Sequence, residues 1–308
     1  MTALEQIETG CTLPRRRGKA ATTVAMEQAI LRIVEQRHPI TVRGVCYALF
    51  AEGLIGSMAV NETGRISRVM TQMREADVLE WTRIVDGSRA VDRPGRWSDP
   101  DAIIHAAVAG YRRDYWQEQP VHVEVWSEKS TVQGVLGPVL DAYGVTFRVM
   151  KGFGSFTAVR QAAEDSLDAP AGKPCVALYL GDWDPSGLHM SEVDLPVRLE
   201  RYGGVWNLER IALVADDLDR VPHFDASTKR SDARFDWYQR HTTADPTKAW
   251  ELDAMDPNKL RARVEREIGA LIDEAAWQRA LDVERAEVES MREFHASWQA
   301  SKRPGGLR

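Results

Sequence analysis

Apolar positions recur along this chain with two different spacings, and the change between them divides it into two parts. Over residues 23–37, 41–53 and 62–76 they return every three or four positions, which predicts three amphipathic helices. In the second, Val42, Val45, Cys46, Leu49 and Phe50 form one stripe at about 100° per residue. Tyr47 falls on the edge of that stripe and Arg43 one turn earlier on the same edge. In the third, Ile66, Val69, Met70 and Met73 make the stripe and leave Arg65, Arg68 and Gln72 on the other side. Residues 81–85 and 88–91 then flank Asp86-Gly87, a dipeptide that favours a two-residue hairpin turn.

Beyond residue 120 the pattern becomes short apolar runs. Residues 121–126, 145–150 and Cys175–Leu180 read as strands, with a tight turn at 151–154 and a helix over 155–164, in the βαβ order of a parallel sheet. Residues 216–241 are polar and predict a surface loop, and 258–298 carry long, charge-rich helical patterning. The expected organisation is a flexible tail at 1–21 and a winged-helix domain at 22–118. An α/β domain with a C-terminal helical extension follows at 119–300, and a second tail at 301–308. In a winged helix the third helix enters a DNA groove and the wing lies beside it, so Arg65, Arg68, Gln72, Arg83 and Arg89 are candidate DNA contacts, together with Lys129 from the second part of the chain. The plainer reading of that helix is an amphipathic segment with a solvated basic face.

Composition narrows the class. A length of 308 residues fits two domains, and 44% hydrophobic residues suffice for sizeable cores. Residues 1–22 contain no apolar run of signal-peptide length and no segment reads as membrane-spanning, so a cytoplasmic, nucleoid-associated protein is expected. Cys11, Cys46 and Cys175 lack zinc-type spacing and read as reduced thiols. The net charge of -6 conceals segregation: residues 1–97 hold 14 Lys and Arg against 11 Asp and Glu, whereas 120–220 hold 9 against 15. An acidic part that gathers cations beside a mildly basic part suits a nucleic-acid enzyme.

The candidate chemistry sits at the expected strand ends. Asp182 and Asp184 follow the run Cys175–Leu180 just before Pro185 and Gly187 end it in a turn, and Glu128 follows the run 121–126. In open parallel sheets ligands bind beyond the C-terminal strand ends. Three carboxylates there offer the oxygen donors that Mg²⁺ prefers, and Mn²⁺ accepts the same donors. A Glu after one strand and an Asp-x-Asp after a later one resemble the Toprim domain, which uses Mg²⁺ to cleave or join nucleic-acid phosphodiesters. The adjacent Lys129 matches the Glu-Lys pair of the topoisomerase VI A subunit, and Thr41, Val42, Arg43, Gly44, Val45, Cys46 and Tyr47 resemble the catalytic helix of that subunit and its meiotic double-strand-break relatives. The resemblance spans residues 24–273, since residues 249–254 resemble the acidic segment that follows the Toprim core in that family. Cys46 and Gly44 depart from it, standing where the family has an aromatic and a polar residue.

The resemblance implies a winged helix followed by a Toprim domain. It implies Mg²⁺ held by Glu128, Asp182 and Asp184, attack on phosphorus by Tyr47, and a phosphate steadied by Arg43. The product is a 5′-phosphotyrosyl link. In the family the tyrosine and the metal cluster come from different protomers, so the implied unit is a homodimer cutting duplex DNA. A free phenol has a pKa near 10 and requires a neighbouring cation to become a nucleophile at neutral pH. No P-loop pattern for ATP occurs, so coupling to ATP requires a separate partner. Two other readings stay open: a Toprim nuclease using water, with Tyr47 structural, and a non-catalytic DNA-binding scaffold.

Overall fold

The computed structural model describes residues 21–85, 95–150, 156–169 and 172–301. The turn at Asp86-Gly87, the strand expected after it, Arg89, the turn at 151–154 and most of both tails lie outside the described residues.

Three helices form the N-terminal unit: α1 (Ala21–Arg37), α2 (Val42–Ala51) and α3 (Val60–Glu75). Their apolar stripes meet in a core of Ile30, Ile33, Val45, Leu49, Ile66, Met70 and Met73. Thr41 starts α2 by accepting a hydrogen bond from the Gly44 N–H at 2.9 Å. The glycine also answers to packing, since a Cβ at position 44 would lie 2.9 Å from Ile40 Cγ1. Arg65, Arg68 and Gln72 are exposed on the outer face of α3, opposite its buried stripe.

The wing strand expected at 81–85 is corrected. Trp81–Arg83 is a 3₁₀ turn, and only β2 (Ile84–Val85) is extended. It pairs in parallel with β1 (Ile40–Thr41), because buried Ile40 and Ile84 join the helical core. Residues 100–118, assigned from sequence to the N-terminal domain, pack elsewhere: α4 (Pro100–Gly110) lies on the last helix, and Trp116 enters the core of the sheet.

The second unit is built on a four-stranded parallel sheet in the order β4 (Thr146–Val149), β3 (His122–Ser127), β5 (Cys175–Leu180), β6 (Trp206–Ala212). Period-two alternation sends Val123, Val125, Val176, Leu178 and Leu180 to one face. There α5 (Thr131–Tyr143) and α10 (Pro257–Ala270) cover them. Trp126, Ala177 and Tyr179 face the other way, under α6 (Phe156–Asp168) and α8 (Leu195–Arg201). Residues 216–241 are not the expected surface loop. They hold β7 (His223–Asp225) and α9 (Phe235–His241), and bury Leu218, Val221, Phe235 and Tyr238 in the sheet core. The strand β8 (Lys248–Trp250) pairs antiparallel with β7, and α11 (Glu274–Ser301) completes the helical extension. No described helix is long and apolar enough to cross a membrane.

The two units are joined by specific polar contacts. Arg261 of α10 donates to the carbonyls of Arg37, His38, Pro39 and Val135 at 3.1–3.2 Å, and Asn258 donates to the Gln36 carbonyl at 2.8 Å. The helix α2 rests on a 3₁₀ turn at Leu252–Ala254, where Asp253 accepts from the Thr41 hydroxyl at 3.2 Å.

Candidate functional site

The strands β3 and β5 are parallel neighbours, so Ser127 lies level with Leu180 and their C-terminal ends coincide. The chain enters the sheet at β3, moves outward to β4, then crosses back to β5 on the other side. The order therefore reverses between β3 and β5, which is where ligands bind in open sheets of this kind. Glu128 follows β3 directly, and Asp182 and Asp184 follow β5.

Local contacts explain why the two aspartates act together. Between them, buried Trp183 exchanges backbone hydrogen bonds with Trp250, 2.9 Å in each direction, and its indole N–H donates to Thr242 at 3.0 Å. An extended chain turns alternate side chains to the same side, so fixing Trp183 leaves its two neighbours to share the other. The short helix α7 (Pro185–His189) begins at once, with Asp184 capping it by accepting from Gly187 N–H at 2.7 Å. Only glycine fits at 187, since a Cβ would lie 2.5 Å from the backbone oxygen of Asp182.

Beneath this loop lies Arg210 of β6. Its guanidinium donates to the carbonyls of Gly181, Asp182, Gly187 and Leu213 and to the Ser191 hydroxyl, at 2.7–3.3 Å. It also lies against the rings of Tyr179 and Trp183. Burial lowers its pKa, partly offset by the Tyr179 phenol and the surrounding carboxylates. The only sequence signal for this positioning residue is a charge on a strand whose neighbours are buried.

Two lysines answer the aspartates. Lys129 contacts Asp182 at 2.8 Å and Asp253 at 3.1 Å, and Lys229 lies 3.4 Å from Asp184. Burial works against the Lys129 charge, but Asp182 and Asp253 outweigh it and raise its pKa. Burial pushes Asp182 up, while the Lys129 ammonium and a 2.7 Å hydrogen bond from the Leu252 N–H pull the other way. Glu128 is different. Among the described residues its carboxylate makes no hydrogen bond or ion pair, and burial followed by the charges of Asp182 and Asp184 pushes it up to about 7.

The donor set suits a hard divalent cation: three carboxylate groups, one of them unpaired. The phenol oxygen of Tyr179 is also buried without a hydrogen-bond partner among the described residues, and Glu128, Asp182 and Asp184 all bear on its titration. As the side chains stand, no group of three or more His, Cys, Asp or Glu among the described residues is gathered closely enough to hold a metal ion.

Tyr47 is buried on α2, with the Arg43 guanidinium 5.7 Å from its ring centroid. Arg43 is itself held by Glu251, in a two-pronged pair whose second contact is 2.6 Å. Burial and then the Glu251 carboxylate raise the Tyr47 pKa, and Arg43 counters them only in part. The phenol is therefore held protonated, and the neighbouring Arg43 does not by itself favour the phenolate. The acidic segment Glu251 to Asp253 connects this helix to the aspartates: Glu251 holds Arg43, Leu252 donates to Asp182, and Asp253 accepts from both Thr41 and Lys129.

Of the other candidates, Arg65 is exposed and pairs with Glu62 at 2.9 Å, and Arg68 and Gln72 are exposed. Arg83 pairs with Glu35 and Glu80, and Lys129 lies inside the acidic site rather than on an open surface. In comparisons with known proteins, the chain matches no family model, no curated protein and no solved structure.

Proposed function

We propose that the chain is a divalent-metal-dependent enzyme that cleaves DNA phosphodiesters, with Glu128, Asp182 and Asp184 holding Mg²⁺ or Mn²⁺ and Tyr47 as nucleophile. The observation that carries this reading is the placing of Glu128 directly after β3 and of Asp182 and Asp184 directly after β5, at the point where the sheet order reverses, with the Glu128 carboxylate unpaired among the described residues. The finer architecture in this reading is a winged helix followed by a Toprim domain, in the manner of the topoisomerase VI A subunit. A bound cation would draw charge from the phosphate as the leaving oxygen departs.

The residues of this chain would do the rest. Once the Arg43–Glu251 pair opens, Arg43 is free to hold the scissile phosphate. The Tyr47 oxygen then bonds to phosphorus, the bond from phosphorus to the 3′ oxygen breaks, and the phenol proton leaves as the 3′ hydroxyl forms. The break is held as a phosphotyrosyl ester, so it is reversible without ATP, and two chains in a homodimer would cut both strands.

The protonated, enclosed phenol supports a second reading, in which water attacks and Tyr47 only packs. One substitution separates the two. Wild type incubated with supercoiled plasmid and Mg²⁺ or Mn²⁺ is expected to yield linear DNA bearing protein at its 5′ ends, and Tyr47→Phe neither product. Cutting with free ends by Tyr47→Phe would overturn the tyrosine step and leave a metal-dependent nuclease. Full activity in Asp182→Asn would overturn both readings.

A further inference from the structure

A cleft of about 420 Å³ opens where the two units meet, between α2 and α10. Its α2 wall presents Gly44, Tyr47, Ala48 and Ala51, one face of the helix, on which every residue except the tyrosine is small. Its α10 wall presents Lys259, Arg263 and Arg266, again one face, while Leu260, Val264 and Ile268 of the same helix are buried in the sheet core. Arg37 and Arg220 complete a lining of five cations against two carboxylates, in a chain whose net charge is -6.

Both carboxylates are already engaged. Asp217 accepts two hydrogen bonds from Arg263, at 2.5 and 2.6 Å, and Asp256 pairs with Arg37 at 3.2 Å. Arg220 and Lys259 are exposed and have no carboxylate partner among the described residues. Arg266 is exposed as well, and its one pairing among the described residues is with the adjacent Glu267 on the open surface. Surface pairs of that kind contribute little and give way readily to a stronger anion.

We propose that this cleft binds the sugar-phosphate backbone of duplex DNA, with Arg220, Lys259 and Arg266 as its phosphate contacts. The assignment rests on the reading of the chain as a DNA-cleaving enzyme and adds to it the path of the strand. Lys259 and Arg266 lie on one face of α10 about two turns, roughly 10 Å, apart, and Arg220 adds a third cation off that helix, so they match an extended anion better than a compact one. The small residues opposite let a backbone approach closely, and Tyr47 lies in the same wall.

The test is fluorescence anisotropy of a labelled duplex with the full chain over a range of salt concentrations. Wild type is compared with Arg220→Ala/Lys259→Ala/Arg266→Ala and with Arg65→Ala/Arg68→Ala, which removes the exposed cations of α3. Circular dichroism melting verifies that each variant is folded, as expected for exposed positions. The triple variant is expected to bind on the order of tenfold more weakly, with the slope of log K against log salt smaller by about three. A triple variant that binds like wild type while the α3 variant is weakened would overturn the cleft and leave the DNA-cleaving reading standing. A wild type that binds no duplex at low salt would overturn both.

Discussion

At the scale of single residues, the acidic site depends on buried charges that are satisfied by backbone as much as by other charges. Arg210 makes five hydrogen bonds, four to residues 181–191 and one to Leu213, through a planar fork that no other side chain reproduces. Arg210→Met should leave four carbonyls without this donor and cost on the order of 3 kcal/mol in urea unfolding, and Arg210→Lys should recover only part of it. Glu124, at the opposite end of β3, gives a pH signature separate from the site. Burial opposes its charge, yet hydrogen bonds from Arg148 and Trp126, the Arg148 charge and the His122 ring 3.7 Å away hold it down at about 2. A folded pKa below the unfolded value of about 4.5 means that its stabilisation is full above pH 4.5 and is lost as pH falls towards 2. The stability gap between wild type and Glu124→Gln, up to about 3 kcal/mol at neutral pH, should therefore close across that window. A gap that does not change with pH would contradict this account of Glu124.

At the scale of elements, the strand ends do the positioning, and glycine allows it. Gly187→Ala should push α7 off the Asp182 carbonyl, cost about 1–3 kcal/mol and weaken any binding at the aspartates, whereas a change at exposed Gly269 should do neither. Three of the four sheet strands were legible from sequence as short apolar runs: Cys175–Leu180 has the bounds read from the chain, and α1 to α3 lie within three residues of expectation, whereas β6, half-exposed at the sheet edge, was not read. Residues 216–241 were not legible. Their buried positions are single apolar residues separated by polar ones, held by tertiary contact and not by a repeat. The parallel pairing of β2 with β1 was hidden for a similar reason, since two-residue strands have no period to read.

At the scale of the whole molecule, the sequence indicated which acids stand at the strand ends but only one of the groups that answer their charge, Lys129. Glu128, Asp182 and Asp184 were recognisable as strand-end carboxylates, whereas Lys229, Glu251 and Asp253 reach the site only through folding of distant segments. The docking of α2 on the segment 251–253 links Tyr47 to the acid cluster within one chain and neutralises Arg43 there. Activity on this account requires that contact to open while the carboxylates turn from their lysines to a cation. Every proposed catalytic step thus depends on binding of the cation, which can be measured without substrate or partner. Titration of the full chain with Mn²⁺, followed by loss of the free-ion paramagnetic resonance signal, should show one site per chain in wild type, competed by Mg²⁺ and abolished in Asp182→Asn/Asp184→Asn. Equal Mn²⁺ binding by wild type and the double variant, or none by either, would contradict the account.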